Sequence, residues 1–336
     1  MKPHVQMSEE QLLGILSEFN KKKIAVLGDV GIDRYTIGSV ERISPEAPVP
    51  IVAVQQEYLK LGLASNVADN VVALSGSPLL TGVVGKDRNA KDLVDMLKKR
   101  KIPVSGLVAD STRRTILKER ILGETQQMLR VDYEDTHPLV PAVQKQIQAA
   151  IVKAIATADA LIVEDYAKGM LSDQSIAVAV KAAKAKKIPV LIDPHVKTPV
   201  EWYAHATLLT PNKKEAEKLV DQKITDQESL IAAGRKIMAK ARTESLVITL
   251  GKDGMAIFKN AKTPPTIIPT FAQEVYDVSG AGDTVIAVMA LVLSTGATLE
   301  EAAYVSNLAA GVEVSKRGTA TVSQQEIVQA YLRQRG

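Results

Sequence analysis

Apolar residues recur along this chain in two rhythms. Short, nearly continuous apolar runs at 24–27, 79–84, 160–163, 189–193, 207–209 and 246–250 predict buried strands. Stretches with helical spacing lie between them, at 65–74, 90–99 and 172–187, and the C-terminal third repeats that spacing at 282–293, 299–314 and 324–333. Strand and helix in alternation predict an α/β fold, with a mostly parallel sheet and helices on both faces.

Two stretches break the rhythm. Residues 34–58 are rich in Pro and β-branched residues, and residues 114–133 alternate polar with apolar. Both predict β-hairpins, inserted so that they pair into a small lid over one end of the main domain. Residues 1–20 predict a short amphipathic helix, and residues 21–336 the main domain.

Composition narrows the function. Of 336 residues, 46% are hydrophobic and 24% charged, as in an ordinary folded protein. Aromatics at 4% supply few stacking platforms for single-stranded nucleic acid. The net charge is +4, and the lysine clusters fall before strands or at helix ends, where they read as solvated. With no cysteine there is no disulfide, thiolate zinc site or cysteine nucleophile, and the four histidines show no metal-ligand spacing. The longest apolar stretch, 285–293, is about half a membrane span, and the N-terminus lacks the apolar core of a signal peptide. The expectation is a cytoplasmic protein that binds neither membrane nor nucleic acid.

In a sheet of this kind, ligands bind beyond the carboxyl ends of the strands. The polar residues there include Gly28-Asp29, Glu164-Asp165, Asp193, Thr210-Pro211-Asn212 and Thr249-Leu250-Gly251. The most informative motif is DVSGAGDT, residues 277–284, which opens a long apolar helix. Gly280, Ala281 and Gly282 turn the backbone so that amides face one concavity, and the helix N-terminus adds positive charge. That is an anion hole for a transferring phosphoryl group. Asp283 at its edge is placed to accept a proton from an attacking hydroxyl. A capped glycine turn before a core helix accounts equally well for these residues taken alone.

In TPNKKE, residues 210–215, Asn212 and Glu215 fall on one face of a helix start. Glu215 suits a hydrated Mg²⁺ held through water, although a plain helix cap has the same pattern. Thr249, Gly251 and Gly254 form a turn that a nucleotide could approach. Asn66, at a helix start after Gly62, can hydrogen-bond sugar hydroxyls or simply cap its helix. A P-loop and a G-x-G-x-x-G after the first strand are both absent, which counts against P-loop NTPases and dinucleotide-dependent dehydrogenases.

Over residues 23–327 these motifs resemble those of the ribokinase-like (PfkB) carbohydrate kinases. The resemblance implies a three-layer α/β sandwich with a small β-sheet lid, and ATP and Mg²⁺ as cofactors. It makes Asp283 the catalytic base and Asn212 and Glu215 the metal and phosphate motif. It places Thr249, Gly251, Gly254 and Asn307 around the adenine nucleotide. A monovalent cation such as K⁺, near Asp277 and Ser279, is also implied, as is a homodimer formed through the lid, with Val49, Ile51 and Val54 facing the second copy.

Residues 41–52 (ERISPEAPVPIV), 125–134, 164–171 and 318–323 resemble the bacterial heptose kinases more narrowly. Those kinases phosphorylate C1 of D-glycero-β-D-manno-heptose 7-phosphate for the lipopolysaccharide core. By that resemblance Asp33, Gly62 and Asn66 hold the sugar, and Lys118, Arg120 and Arg130 in the lid suit a substrate that already carries a phosphate. Three positions depart from their pattern. Leu63 replaces a glycine and threatens to fill sugar space, Glu164 replaces a serine, and His195 replaces a lysine. A nucleotidyltransferase motif, H-x-G-H, is absent, so the expectation is a kinase alone. Two other readings remain: a kinase for another sugar, sugar phosphate or nucleoside, and a non-catalytic sugar-phosphate sensor on the same scaffold.

Overall fold

The strand β1 (Lys23–Gly28) sends successive side chains into two different cores. Ile24 and Val26 enter one, and Ala25 and Leu27 the other. A parallel strand covered on both faces is apolar throughout, which is why its sequence reads as a continuous run. The structure, a computed structural model, describes residues 7–124, 126–272, 274–316, 318 and 320–335. His4, Thr125 and Thr319, which fall in segments considered above, lie outside the described residues, as do residues 1–6 of the N-terminal segment.

The remaining strands are β2 (Val30–Ile43), β3 (Pro50–Leu63), β4 (Ser77–Val84), β5 (Leu107–Ala109), β6 (Ile116–Gly123), β7 (Gln126–Tyr133), β8 (Ala160–Glu164), β9 (Val190–Asp193), β10 (Leu208–Leu209), β11 (Ser245–Thr249), β12 (Met255–Phe258) and β13 (Thr266–Ile268). The helices are α1 (Glu9–Ser17), α2 (Ala64–Ala73), α3 (Arg88–Lys99), α4 (Pro141–Ile155), α5 (Asp173–Lys186), α6 (Lys213–Val220), α7 (Gln227–Ala241), α8 (Ala281–Ser294), α9 (Leu299–Glu313) and α10 (Gln324–Arg335).

Nine strands form the main sheet, in the order β13-β12-β11-β10-β9-β8-β1-β4-β5. It is parallel from β11 to β5; at one edge β12 runs against the rest and pairs antiparallel with both β11 and β13. Helices α1–α3 and α8–α10 bury apolar side chains on one face, and α4–α7 on the other. The three layers are those of a ribokinase-like fold. α1 packs Leu12 and Leu16 into the first core, and Tyr331 of α10 donates to the Met7 carbonyl at 2.7 Å.

The lid is a second sheet, ordered β3-β2-β6-β7. Two antiparallel hairpins, β2–β3 and β6–β7, are joined by parallel pairing of β2 with β6. The first hairpin is longer than residues 34–58 predict. It starts at Val30, because Val30 and Ile32 alternate into the first core and so root the lid there. Beyond that root Val49 and Val54 are exposed and Ile51 is partly buried, while Ile43 and Leu129 add further exposed apolar surface.

Candidate active site

Asp283 sits in the first turn of α8, partly buried. Its carboxylate accepts two hydrogen bonds from distant segments. Asn66 Nδ2 of α2 donates to Oδ2 at 2.6 Å, and the Tyr166 hydroxyl, just past β8, donates to Oδ1 at 2.8 Å. Next along the two helices, the Thr284 hydroxyl donates to Asn70 Oδ1 at 3.1 Å, and Asn70 Nδ2 donates to the Asn66 carbonyl at 3.0 Å. These polar pairs fix α2 against α8 inside an otherwise apolar contact. Burial raises the Asp283 pKa to about 6 against the pull of the Asn66 and Tyr166 hydrogen bonds.

In the turn before Asp283 the Ala281 amide donates to the Val278 carbonyl at 3.4 Å. Gly280 caps α8 at φ +96°, a conformation glycine adopts without strain. Gly282 is exposed, and a Cβ there would meet only Asp193 Oδ2 at 3.6 Å. The fold itself has room for a side chain at Gly282, so glycine there keeps the surface open.

On one side of this turn is a cavity of about 320 Å³. Thr249, Gly251, Gly254 and Asn307 line it, together with Ala281, Gly282 and the apolar Met255, Val275 and Val278. A mainly apolar lining with a few polar groups suits a flat heteroaromatic base. Gly254 is at φ +88°, and a Cβ on it would run into the Ile268 carbonyl. Gly251 is at φ +61° with open space around it. Asn307 is buried and donates to the Pro269 carbonyl at 2.7 Å, so it holds the wall of the cavity.

On the other side stands the lid. Asp33 and Arg120 form a buried ion pair at 2.7 Å. Gly62 lets the Asp33 carboxylate approach the backbone, since a Cβ there would lie 3.1 Å from it. Arg120 stacks 5.3 Å from the Tyr35 ring, and Lys118 Nζ lies 5.6 Å from the Tyr166 ring. Burial lowers the Lys118 pKa, opposed by Asp33. Arg130 lies across from Arg120 in the β6–β7 register and is satisfied by Asp132 at 2.8 and 3.0 Å. Like charges directly opposite repel, and Asp132 offsets that here.

Asn212 and Glu215 form a reciprocal helix cap: the Glu215 amide donates to Asn212 Oδ1 at 3.0 Å, and the Asn212 amide to Glu215 Oε2 at 2.8 Å. The cap is therefore real, and it also aims Glu215 toward Asp193 and Glu164. Glu164 and Asp193 are neighbours in the β8–β9 register, at the strand ends. Burial pushes both well above the usual carboxylate range, and each pushes against the other acidic groups around it. Burial also raises Glu215. Glu164 Oε1 is buried without a hydrogen-bond partner. A crowd of buried carboxyl groups beside the glycine turn before α8 is an environment that a dication would relieve. Among the described residues no three His, Cys, Asp or Glu side chains form a group that could hold a metal ion.

Asp277 accepts backbone N–H groups from Ser279 at 2.9 Å and Gly318 at 3.1 Å. It thus ties the loop after α9 to the glycine turn before α8. Beside it Glu313 is fully buried with neither oxygen hydrogen-bonded to a standard distance, and burial raises its pKa to about 8.

Leu63 does not behave as its substitution for glycine suggests. It adopts φ +58°, ψ −142°, a region that disfavours side chains, and its Cδ1 lies against Gly31 of β2. The departure is carried as backbone strain at the start of α2, with the side chain turned onto the strand. His195 accepts from the Lys197 amide through Nδ1 at 3.1 Å and is a turn residue in this structure.

Asp29 and Asp165 also prove structural. Asp29 accepts the Lys168 and Met170 amides at 3.0 and 3.3 Å, and Asp165 accepts the Ala167 amide and the Tyr203 hydroxyl, each at 2.7 Å. Together they pin the loop that carries Tyr166. The sequence reading missed Tyr166 and Lys60, which lies over the Tyr35 and Tyr58 rings at 5.6 and 6.0 Å. The available signals were that Tyr166 follows a strand end and falls within the 164–171 stretch that resembles the heptose kinases.

Residues 21–326 match the sequence pattern described as pfkB family carbohydrate kinase. The chain is 39% identical to the bifunctional protein HldE of Pelobacter propionicus over 96% of its own length and 66% of that protein's. It is 42% identical to the HldE of Haemophilus influenzae, over 94% of this chain and 64% of that one. The chain therefore spans about two thirds of the length of these relatives. Among solved structures, Arabidopsis thaliana ribokinase complexed with ribose and ATP superposes with a TM-score of 0.73 at 18% identity, covering 92% of this chain and 98% of that one. Escherichia coli phosphofructokinase-2 in complex with potassium gives 0.75 at 19%, covering 94% and 99%.

Proposed function

The chain belongs to the pfkB family of carbohydrate kinases and is an ATP-dependent sugar kinase; we propose that its acceptor is a heptose 7-phosphate, phosphorylated at C1. One observation carries the kinase chemistry. Ala281 and Gly282 line the nucleotide-sized cavity, while the adjacent Asp283 bonds to Asn66 and feels Asp33 and Lys118 of the lid. A carboxylate thus stands at the junction of two compartments, with a pKa of about 6 that leaves it ionised yet basic near neutrality.

In this reading the acceptor hydroxyl gives its proton to Asp283 as its oxygen attacks the γ-phosphorus. The amides of residues 280–282 face the charge on the transferring group. Mg²⁺, when bound with ATP, neutralises phosphate charge; Glu215 would hold it through water, with Glu164 and Asp193 adding negative field. A K⁺ ion behind the hole would find Asp277, Ser279 and the Glu313 carboxyl. Asp33, Gly62 and Asn66 hold the sugar, and Lys118, Arg120 and Arg130 face its phosphate.

The heptose assignment is supported by the HldE relatives and by the basic inner face of the lid. A lid-to-lid homodimer in the cytoplasm belongs to the same proposal, supported by exposed Ile43, Val49, Val54 and Leu129 on lid strands and the turn between them. No helix among the described residues is long and apolar enough to cross a membrane.

The test is phosphate transfer from ATP–Mg²⁺ to D-glycero-β-D-manno-heptose 7-phosphate, beside a panel of sugars, sugar phosphates and nucleosides. Phosphorus NMR then assigns the new phosphate. A 1,7-bisphosphate product supports the proposal, and transfer only to another acceptor removes the heptose.

A further inference from the structure

We propose that Tyr166 is a positioning residue for the Asp283 carboxylate and links it to the lid. The geometry of this link stands alone, and its kinetic consequence rests on the kinase reading. The Tyr166 hydroxyl reaches Asp283 Oδ1 at 2.8 Å, while Asn66 holds Oδ2 at 2.6 Å. A carboxylate held by one donor can turn about that bond. Two donors from separate elements, one on each oxygen, leave it a single orientation. The same tyrosine ring lies 5.6 Å from Lys118 Nζ on lid strand β6. One side chain therefore touches both the lid and the carboxylate.

The backbone that carries Tyr166 is held for this purpose. Buried Asp29 and Asp165 take the amides of Lys168, Met170 and Ala167, and Tyr203 braces Asp165. Ala167 adopts φ +53°, a conformation that a non-glycine residue keeps only when its surroundings impose it. Rigid support of this kind is what a positioning group requires.

A hydrogen bond donated to a carboxylate favours its ionised form. Around Asp283, Asn66 of α2, Tyr166 and Lys118 of β6 favour ionisation, and Asp33 of β2 opposes it. The carboxyl groups of Glu164 on β8, Asp193 on β9 and Glu313 on α9 also face it. Loss of the Tyr166 hydroxyl alone removes one favouring contact, and the titration of Asp283 moves up by about one pH unit.

Tyr166→Phe keeps the ring and its contact with Lys118 and deletes only the hydroxyl. Carbon-13 NMR on protein labelled at aspartate Cγ reads the titration directly, and Asp283→Asn identifies the signal. The expected midpoint is near 6 in the native chain and about one unit higher in the variant. An unchanged midpoint overturns the proposal, whether or not the chain transfers phosphate. Kinetics give the second reading. Turnover of Tyr166→Phe falls more at pH 6 than at pH 8.5, by about fivefold, with both KM values within about twofold. An equal loss at both pH values makes Tyr166 merely structural and also overturns the proposal. If the Phe variant fails to fold, fluorotyrosine at position 166 donates a stronger bond, and the midpoint then moves down. A native chain that transfers phosphate to no acceptor, yet shows the NMR shift, sinks the kinase reading and leaves the Tyr166 link supported.

Discussion

Asn66 and Asp283 are 217 residues apart in the chain, yet the Asn66 amide and the Asp283 carboxylate meet at 2.6 Å. One belongs to the helix that follows the lid hairpin, the other to the helix that follows the anion hole. In the proposed mechanism their contact joins the acceptor side to the nucleotide side.

Replacing Asp283 by Asn removes the proton acceptor and leaves the binding surfaces in place. Turnover should fall by about 10²–10³, the usual cost of losing one such electrostatic group. Nucleotide affinity, read by isothermal calorimetry, should stay within about threefold. Near-native turnover would take Asp283 out of the mechanism.

The pH dependence has a defined sign. Asp283 titrates at about 6 and must be ionised to act as a base, so turnover should rise through pH 6 and level off above 7. Stability runs the other way. A carboxyl whose folded pKa is raised contributes its full stability below the unfolded value near 4, and loses it as pH climbs through 6. Asp283→Asn should therefore melt no lower than the native chain at pH 7.5, with any gain fading toward pH 4.

Glu313 extends the same argument. Its pKa is raised to about 8 by burial, so it costs the folded state increasingly from about pH 4.5 to 8. Glu313→Gln should raise the melting temperature by a few degrees at pH 8 and by little at pH 5. If K⁺ occupies the seat beside it, added K⁺ should stabilise the native chain more than the variant. An identical melting curve for the two proteins at pH 8 would show that Glu313 is already compensated.

Leu63→Gly sets relief of backbone strain, about 1–3 kcal/mol, against loss of a buried leucine side chain, about 2–5 kcal/mol. The variant should melt lower. Because the side chain lies against Gly31, the acceptor KM should change by less than about threefold. A large improvement in KM would instead mean that Leu63 obstructs the sugar.

Gly254→Ala forces a side chain into the Ile268 carbonyl at φ +88° and should both destabilise the protein and weaken ATP binding. Gly251→Ala, in open space at φ +61°, should be milder on both counts. Thermal melts and nucleotide titrations of the pair compare them directly.

Much of this was legible in the sequence. The apolar runs gave β1, β4, β8, β9, β10 and β11, because strands buried on both faces cannot carry polar residues. The glycine turn at 277–284 and the apolar helix after it were also legible, because glycines next to a continuous apolar run mark a turn into a buried helix. Local chemistry of this kind is written in consecutive residues. The root of the lid at Val30 was not legible, since its alternation continues the strand before it. Nor were the short strands at the two edges of the sheet, β5 at one and β12 and β13 at the other, whose three or four residues carry too little pattern.

What only the tertiary structure decided is which distant groups meet. The sequence set the strand–helix order, the anion-hole turn and the acidic residue at its edge. It could not place Tyr166 on Asp283, turn Leu63 away onto Gly31, or crowd Glu164 against Asp193. The first depends on packing of α2, α8 and the β8 loop through contacts more than a hundred residues apart, and the other two on the pairing of β2 with β3 and of β8 with β9. The charge state of Asp283 follows from that packing, because burial and hydrogen bonding shift a carboxyl only once the chain has closed around it.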